Sequence, residues 1–106
     1  MKIGILSWGN GNNAENIIRY CLDEDTKLTV SCLISDNKNA GVISKAKKYK
    51  IPTYVVPYSK KKGKTYHESI ILNILKSNGV ALLCLAGHMR ILTANFIKTF
   101  CRENKN

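Results

Sequence analysis

Acidic residues are scarce in this chain: 7 Asp and Glu stand against 17 Lys and Arg, a formal net charge of +10 over 106 residues. That imbalance disfavours an acidic cation site and favours anionic partners. Proline is confined to Pro52 and Pro57, and no Gly/Ser/Pro-rich stretch occurs, so a linker is excluded. Arginine is limited to Arg19, Arg90 and Arg102, and the aromatic residues are not interleaved with the lysines as a base-stacking surface requires. A solvated basic surface that attracts anionic metabolites is the reading preferred to nucleic-acid binding. Long hydrophobic runs are missing too, and Met1-Lys2 leads straight into a strand pattern without a signal peptide, so the expected location is the cytoplasm. Cys21, Cys32, Cys84 and Cys101 form no C-x-x-C pair, which argues against a zinc site and against disulfides. Three of them fall in apolar stretches and read as buried free thiols. What remains, 44% hydrophobic residues, is enough for the core of one soluble α/β domain.

The organising stretch is at the N-terminus. Ile3 to Leu6 reads as a buried strand, Gly9 and Gly11 interrupt it, and residues 14–22 take up helical spacing. Strand, glycine turn and helix together make an anion site. Glycine lets backbone N–H groups approach a phosphate, and the unpaired N–H groups of the helix's first turn supply the positive field. Asn12 or Asn13 is the expected N-cap, and Ile17, Ile18, Cys21 and Leu22 are the expected apolar stripe.

Along the rest of the chain, residues 27–35 predict a strand covered on both faces, and residues 40–50 a short amphipathic helix ending before Ile51-Pro52. Residues 53–56 predict a short strand, and residues 58–64 a lysine-rich loop. Thr65-x-x-Glu68 has the form of a capping box opening a helix that Asn78-Gly79 closes, which leaves His67 on the surface. Residues 80–86 form a continuous apolar run, expected as a central parallel strand, and Thr93 caps a last amphipathic segment carrying Phe96, Ile97 and Phe100.

The order β-α-β-α-β-α-β-α, with right-handed crossovers, predicts a doubly wound parallel sheet ordered 3-2-1-4. The winding reverses between strands 1 and 4, so the glycine loop and residues 87–92 face each other across the crevice where such sheets bind ligands. Gly9-x-Gly11-x-x-Ala14 also fits the permissive dinucleotide fingerprint, with Asp36 placed to hold a ribose hydroxyl. From spacing alone, NAD-type binding, a single phosphate and purely structural glycines all stay open. A basic nucleic-acid-binding module is a further alternative.

Three segments narrow this choice. Ser7-Trp-Gly-Asn-Gly-Asn-Asn13 before a helix, Ile51-Pro-Thr53 opening a strand, and above all Leu85-Ala-Gly-His-Met-Arg-Ile-Leu92 resemble the glycinamide ribonucleotide transformylases. These folate-dependent formyltransferases of purine biosynthesis pass a formyl group from 10-formyltetrahydrofolate to the glycinamide amine. The resemblance implies a Rossmann-like N-terminal formyltransferase domain, with glycinamide ribonucleotide and 10-formyltetrahydrofolate as small-molecule partners and no metal. It implies that Gly11, Asn12 and Asn13 bind the substrate phosphate. It further implies that Met89, Arg90, Ile91 and Leu92 line the pterin pocket, and that Lys64, where the family usually has arginine, lies in the folate region.

Departures from the family pattern qualify the expectation. Trp8 replaces a small residue, Asn12 replaces a serine, and His88 replaces a phenylalanine; His88 is read as packing in the aromatic's place rather than as a base. In the family, transfer depends on an Asn-x-His-Pro element and a later Asp that follow the last helix found here. Residues 1–106 do not include them, so no catalytic residue is assigned and the chain is expected to be a truncated half, inactive alone. A sheet edge open to pairing with a second chain, and hence a homo-oligomer, is the structural corollary.

Overall fold

The computed structural model of the protein describes residues 1–87 and 92–103. Strand β1 (Lys2–Leu6) leads to helix α1 (Asn12–Cys21) and a 3-10 turn at Glu24–Thr26, followed by β2 (Thr29–Ser35) and α2 (Gly41–Lys48). Strand β3 (Thr53–Val55), α3 (Gly63–Ser77), β4 (Leu82–Leu85) and α4 (Ala94–Glu103) complete the chain. Among the described residues the strands form one sheet ordered β3-β2-β1-β4, every pair parallel, which is the winding expected from the sequence.

Each face of this sheet has its own core. Ile3, Ile5, Val30 and Leu33 pack with Ala14, Ile18, Val42 and Ala46 of α1 and α2. Leu6, Cys32 and Ile34 turn the other way, against Ile71 and Leu75 of α3 and Phe96 of α4. A register shift between Ile3 and Gly4 explains why Val30 and Leu33, three residues apart, share a face. The second layer sits close to the sheet: a Cβ on Gly4 would lie 2.9 Å from the Leu75 side chain, so glycine is what admits α3 over β1.

Several local expectations are corrected. Helix α1 is capped by Gly11 rather than by Asn12 or Asn13, because a left-handed φ of 87° turns the chain there. Leu22 lies past the end of α1 and is 62% exposed, so it leaves the apolar stripe. Thr65 does not open α3: Gly63, with φ +85°, starts it two residues earlier. Its other boundary is as read, with Asn78 at the C-cap and Gly79 at φ 66°. The apolar run at residues 80–86 is not a covered central strand here. β4 lies at the sheet edge, and Leu82 and Leu85 stand 46% and 52% exposed. All four cysteines are free, but only Cys32 is fully buried.

Candidate functional site

Strand β1 runs beside β4 with Leu6 level with Leu85, so the segments leaving these two strands start side by side at the C-terminal edge of the sheet. From Leu6 the chain passes through buried Ser7 and Trp8 to exposed Gly9 and Asn10, then to Gly11. Helical bonding begins where the Glu15 N–H donates to the Gly11 carbonyl at 2.7 Å. The N–H groups of Asn13 and Ala14 therefore lie ahead of the first helical donor, at the positive end of the helix. Asn10 Oδ1 accepts the Asn12 N–H at 3.0 Å, which braces the turn.

Helix α2 supports this loop from below. The Gly9 carbonyl accepts the Val42 N–H at 3.2 Å, and a Cβ on Gly11 would stand 2.6 Å from Val42 Cβ. Gly11 is required both by its backbone conformation and by the space available. One helical turn past Val42, Lys45 Nζ donates to Asn12 Oδ1 at 2.6 Å, bringing an ammonium to the rim of the loop. Lys45 is a residue that the sequence pattern alone does not single out. The signal that could find it is the helix face that residues 42 and 45 share. Tyr49 adds a bond to Glu15 Oε2 at 3.0 Å, so the two helices are held together on both sides of the loop.

The other wall of the crevice follows β4. Met89, Arg90 and Ile91, with His88, lie outside the described residues, whereas Leu92 is half-buried against the α3–α4 core. Lys64 is half-buried in the first turn of α3. Glu68 fixes where this segment ends: its carboxylate accepts the Thr93 N–H at 2.9 Å and the Thr93 hydroxyl. The Thr93 hydroxyl oxygen in turn accepts the Phe96 N–H at 3.1 Å, as the capping expectation required. Glu68 thus caps α4 from across the fold rather than its own helix.

His67 is corrected from a surface residue to a buried one, 4% exposed. Residue 67 lies one helical turn before Ile71 on α3 and shares its buried face. Its Nε2–H donates to the Val56 carbonyl at 2.8 Å, and its ring meets those of Trp8 and Tyr58 edge-on at 6.3 and 5.5 Å. Trp8 is therefore a core residue on the α3 side of the sheet, packed with His67. Burial pushes the Cys32 thiol up to about 11 and raises Cys84 as well, so neither is a thiolate nucleophile at neutral pH. Among the described residues no cluster of His, Cys, Asp and Glu could hold a metal ion.

An open, all-parallel sheet ordered β3-β2-β1-β4, with a glycine and asparagine loop at its winding reversal, defines a doubly wound α/β domain. The comparison with known families carries this further: the model described as formyl transferase matches residues 1–104, and the chain belongs to that family. It is 33% identical over 105 residues to a phosphoribosylglycinamide formyltransferase of Haemophilus influenzae, covering 99% of this chain and 50% of that protein. Among solved structures, the phosphoribosylglycinamide formyltransferase of Brucella melitensis superposes with a TM-score of 0.89 at 31% identity, over 93% of this chain and 52% of that one. Glycinamide ribonucleotide transformylase 1 of Symbiobacterium toebii gives 0.88 at 26%, over 94% and 47%. The chain spans about half the length of each of these three relatives.

Proposed function

We propose that these residues are the substrate-phosphate and folate-binding part of a phosphoribosylglycinamide formyltransferase of purine biosynthesis, working in the cytoplasm. The observation that carries the proposal is the loop at residues 9–13, locked by Val42 and edged by the Lys45 ammonium. The N–H groups of the first turn, with the Asn12 and Asn13 carboxamides and Lys45, hold the dianionic phosphate of glycinamide ribonucleotide. By the family resemblance, Met89, Arg90, Ile91 and Leu92 receive the pterin ring of 10-formyltetrahydrofolate, and Lys64 answers its anionic tail. In the reaction the glycinamide nitrogen attacks the formyl carbon, the bond from that carbon to the folate nitrogen breaks, and the proton lost by the amine is matched by one gained by the departing folate nitrogen. The residues described here bind and orient the two partners and are assigned no proton transfer.

Calorimetric titration of the 106-residue chain tests the reading. Glycinamide ribonucleotide is expected to bind saturably, inorganic phosphate to compete with it, and Gly11→Val to abolish both. Lys45→Ala is expected to weaken the interaction roughly tenfold, on the order of 1.4 kcal/mol. Saturable binding of NAD that fails in Asp36→Ala, with indifference to ribose phosphates, would sink the proposal. So would association with nucleic acid that falls steeply with salt and is unaffected by Gly11→Val.

A further inference from the structure

The sheet's opposite edge carries a second concavity, separated from the crevice by the width of β2. Between β3, α3 and the turn joining them lies a cavity of about 490 Å³, a size typical of small-molecule sites. Tyr54, Val56 and Ile70 contribute its apolar wall, while Ser59, Lys62 and Tyr66 stand on its rim. The wall is preformed: the Tyr54 hydroxyl accepts a bond from Asn78 Nδ2 at 3.3 Å, which fixes the ring against α3.

The rim is organised by the turn. The Gly63 N–H donates to the Ser59 carbonyl at 2.9 Å, and Lys62 N–H to the Ser59 Oγ at 3.4 Å, which leaves the serine's own proton to donate. Lys62 Nζ rests 4.9 Å from the centre of the Tyr66 ring, a cation held over an aromatic face. No acidic residue lines the cavity among the described residues, and Lys60 and Lys61 add positive field beside it. An added peptide strand is the less suitable occupant, since β3 has three residues and is bracketed by Pro52 and Pro57.

We propose that this cavity is a binding site, separate from the phosphate crevice, for a small molecule that joins a flat apolar ring system to a single anionic group. The ring lies on Tyr54 and Ile70, and the anion meets Lys62 and the Ser59 hydroxyl. The assignment stands independently of the formyltransferase reading.

Amide NMR titration of the 106-residue chain with 2-naphthoate is the test. Saturable shifts confined to residues 54–74 are expected, undisturbed by inorganic phosphate. Lys62→Glu should weaken binding at least about fivefold, whereas Lys98→Glu, an equal charge change on exposed α4, should alter it less than about twofold. The uncharged 2-naphthylmethanol should bind more weakly than 2-naphthoate. Unsaturable shifts, shifts spread over the lysine surface, equal losses in both variants, displacement by phosphate, or equal affinity for the alcohol would each overturn the proposal.

Discussion

Gly11 shows how much a single position can be asked to carry. Its φ of 87° penalises any L-residue, and its missing Cβ makes room for Val42 at 2.6 Å. The first term costs roughly 1–2 kcal/mol and the overpacking a further 1–3 kcal/mol or so. Gly11→Ala is therefore expected to lower urea unfolding stability by about 3 kcal/mol and to remove phosphate binding. A loss below about 1 kcal/mol with binding intact would show that the loop does not need this geometry. Cys32 gives a prediction with a definite pH window. Its thiol is fully buried, and its pKa rises from 9.0 to about 11. Below pH 9 the thiol is protonated whether the chain is folded or not, and the stability it contributes is fully present. Between pH 9 and 11 the unfolded chain ionises while the folded chain keeps its proton, so stability falls as pH rises, by up to about 2–3 kcal/mol. Unfolding measured across that range should decline less steeply in Cys32→Ala than in the parent.

At the scale of elements, the contact that matters most is made by two helices through one carboxylate. Glu68 is 5% exposed on α3 and caps α4 at Thr93, the residue directly after the segment proposed for the folate ring. Glu68→Ala would leave the Thr93 N–H and hydroxyl without their buried acceptor, costing on the order of 2 kcal/mol. Glu68→Gln keeps an acceptor and should lose less than half as much. If both variants unfold at the parent's urea midpoint, α4 is not held by this cap. The same geometry predicts that Glu68→Ala weakens folate binding through the loosened segment while leaving phosphate affinity unchanged, a split that two titrations would read.

For the molecule as a whole, the uneven cover of its sheet is decisive. β1 and β2 are buried on both faces, whereas β4 at the edge presents Leu82 and Leu85 to solvent beside its unpaired backbone groups. Such an edge invites a strand from a second copy. Sedimentation should find the 106-residue chain associating as its concentration rises, and Leu82→Lys should shift it to monomer. A chain that stays monomeric at high concentration would remove the edge as a self-association surface. The net charge of +10 acts at this scale too, as a field that favours anionic partners over the whole surface.

Local pattern determined the elements and their order. Apolar runs flanked by glycine, the Asn78-Gly79 stop and the Thr93 cap depend on neighbours within a few residues, and right-handed crossovers then leave few topologies besides 3-2-1-4. The glycine loop between β1 and α1 was legible for the same reason, since its glycines and asparagines are contiguous. Only the tertiary structure decided the rest, because the partners are distant in sequence. Lys45 meets Asn12 across 33 positions, and Glu68 meets Thr93 across 25. His67 is buried because residues distant in sequence pack on its face of α3, where its ring meets Val56 and Trp8. An apolar run such as residues 80–86 specifies a strand but not its cover: burial is a property of what packs on the strand, and a run of leucines reads alike at the centre of a sheet and at its edge.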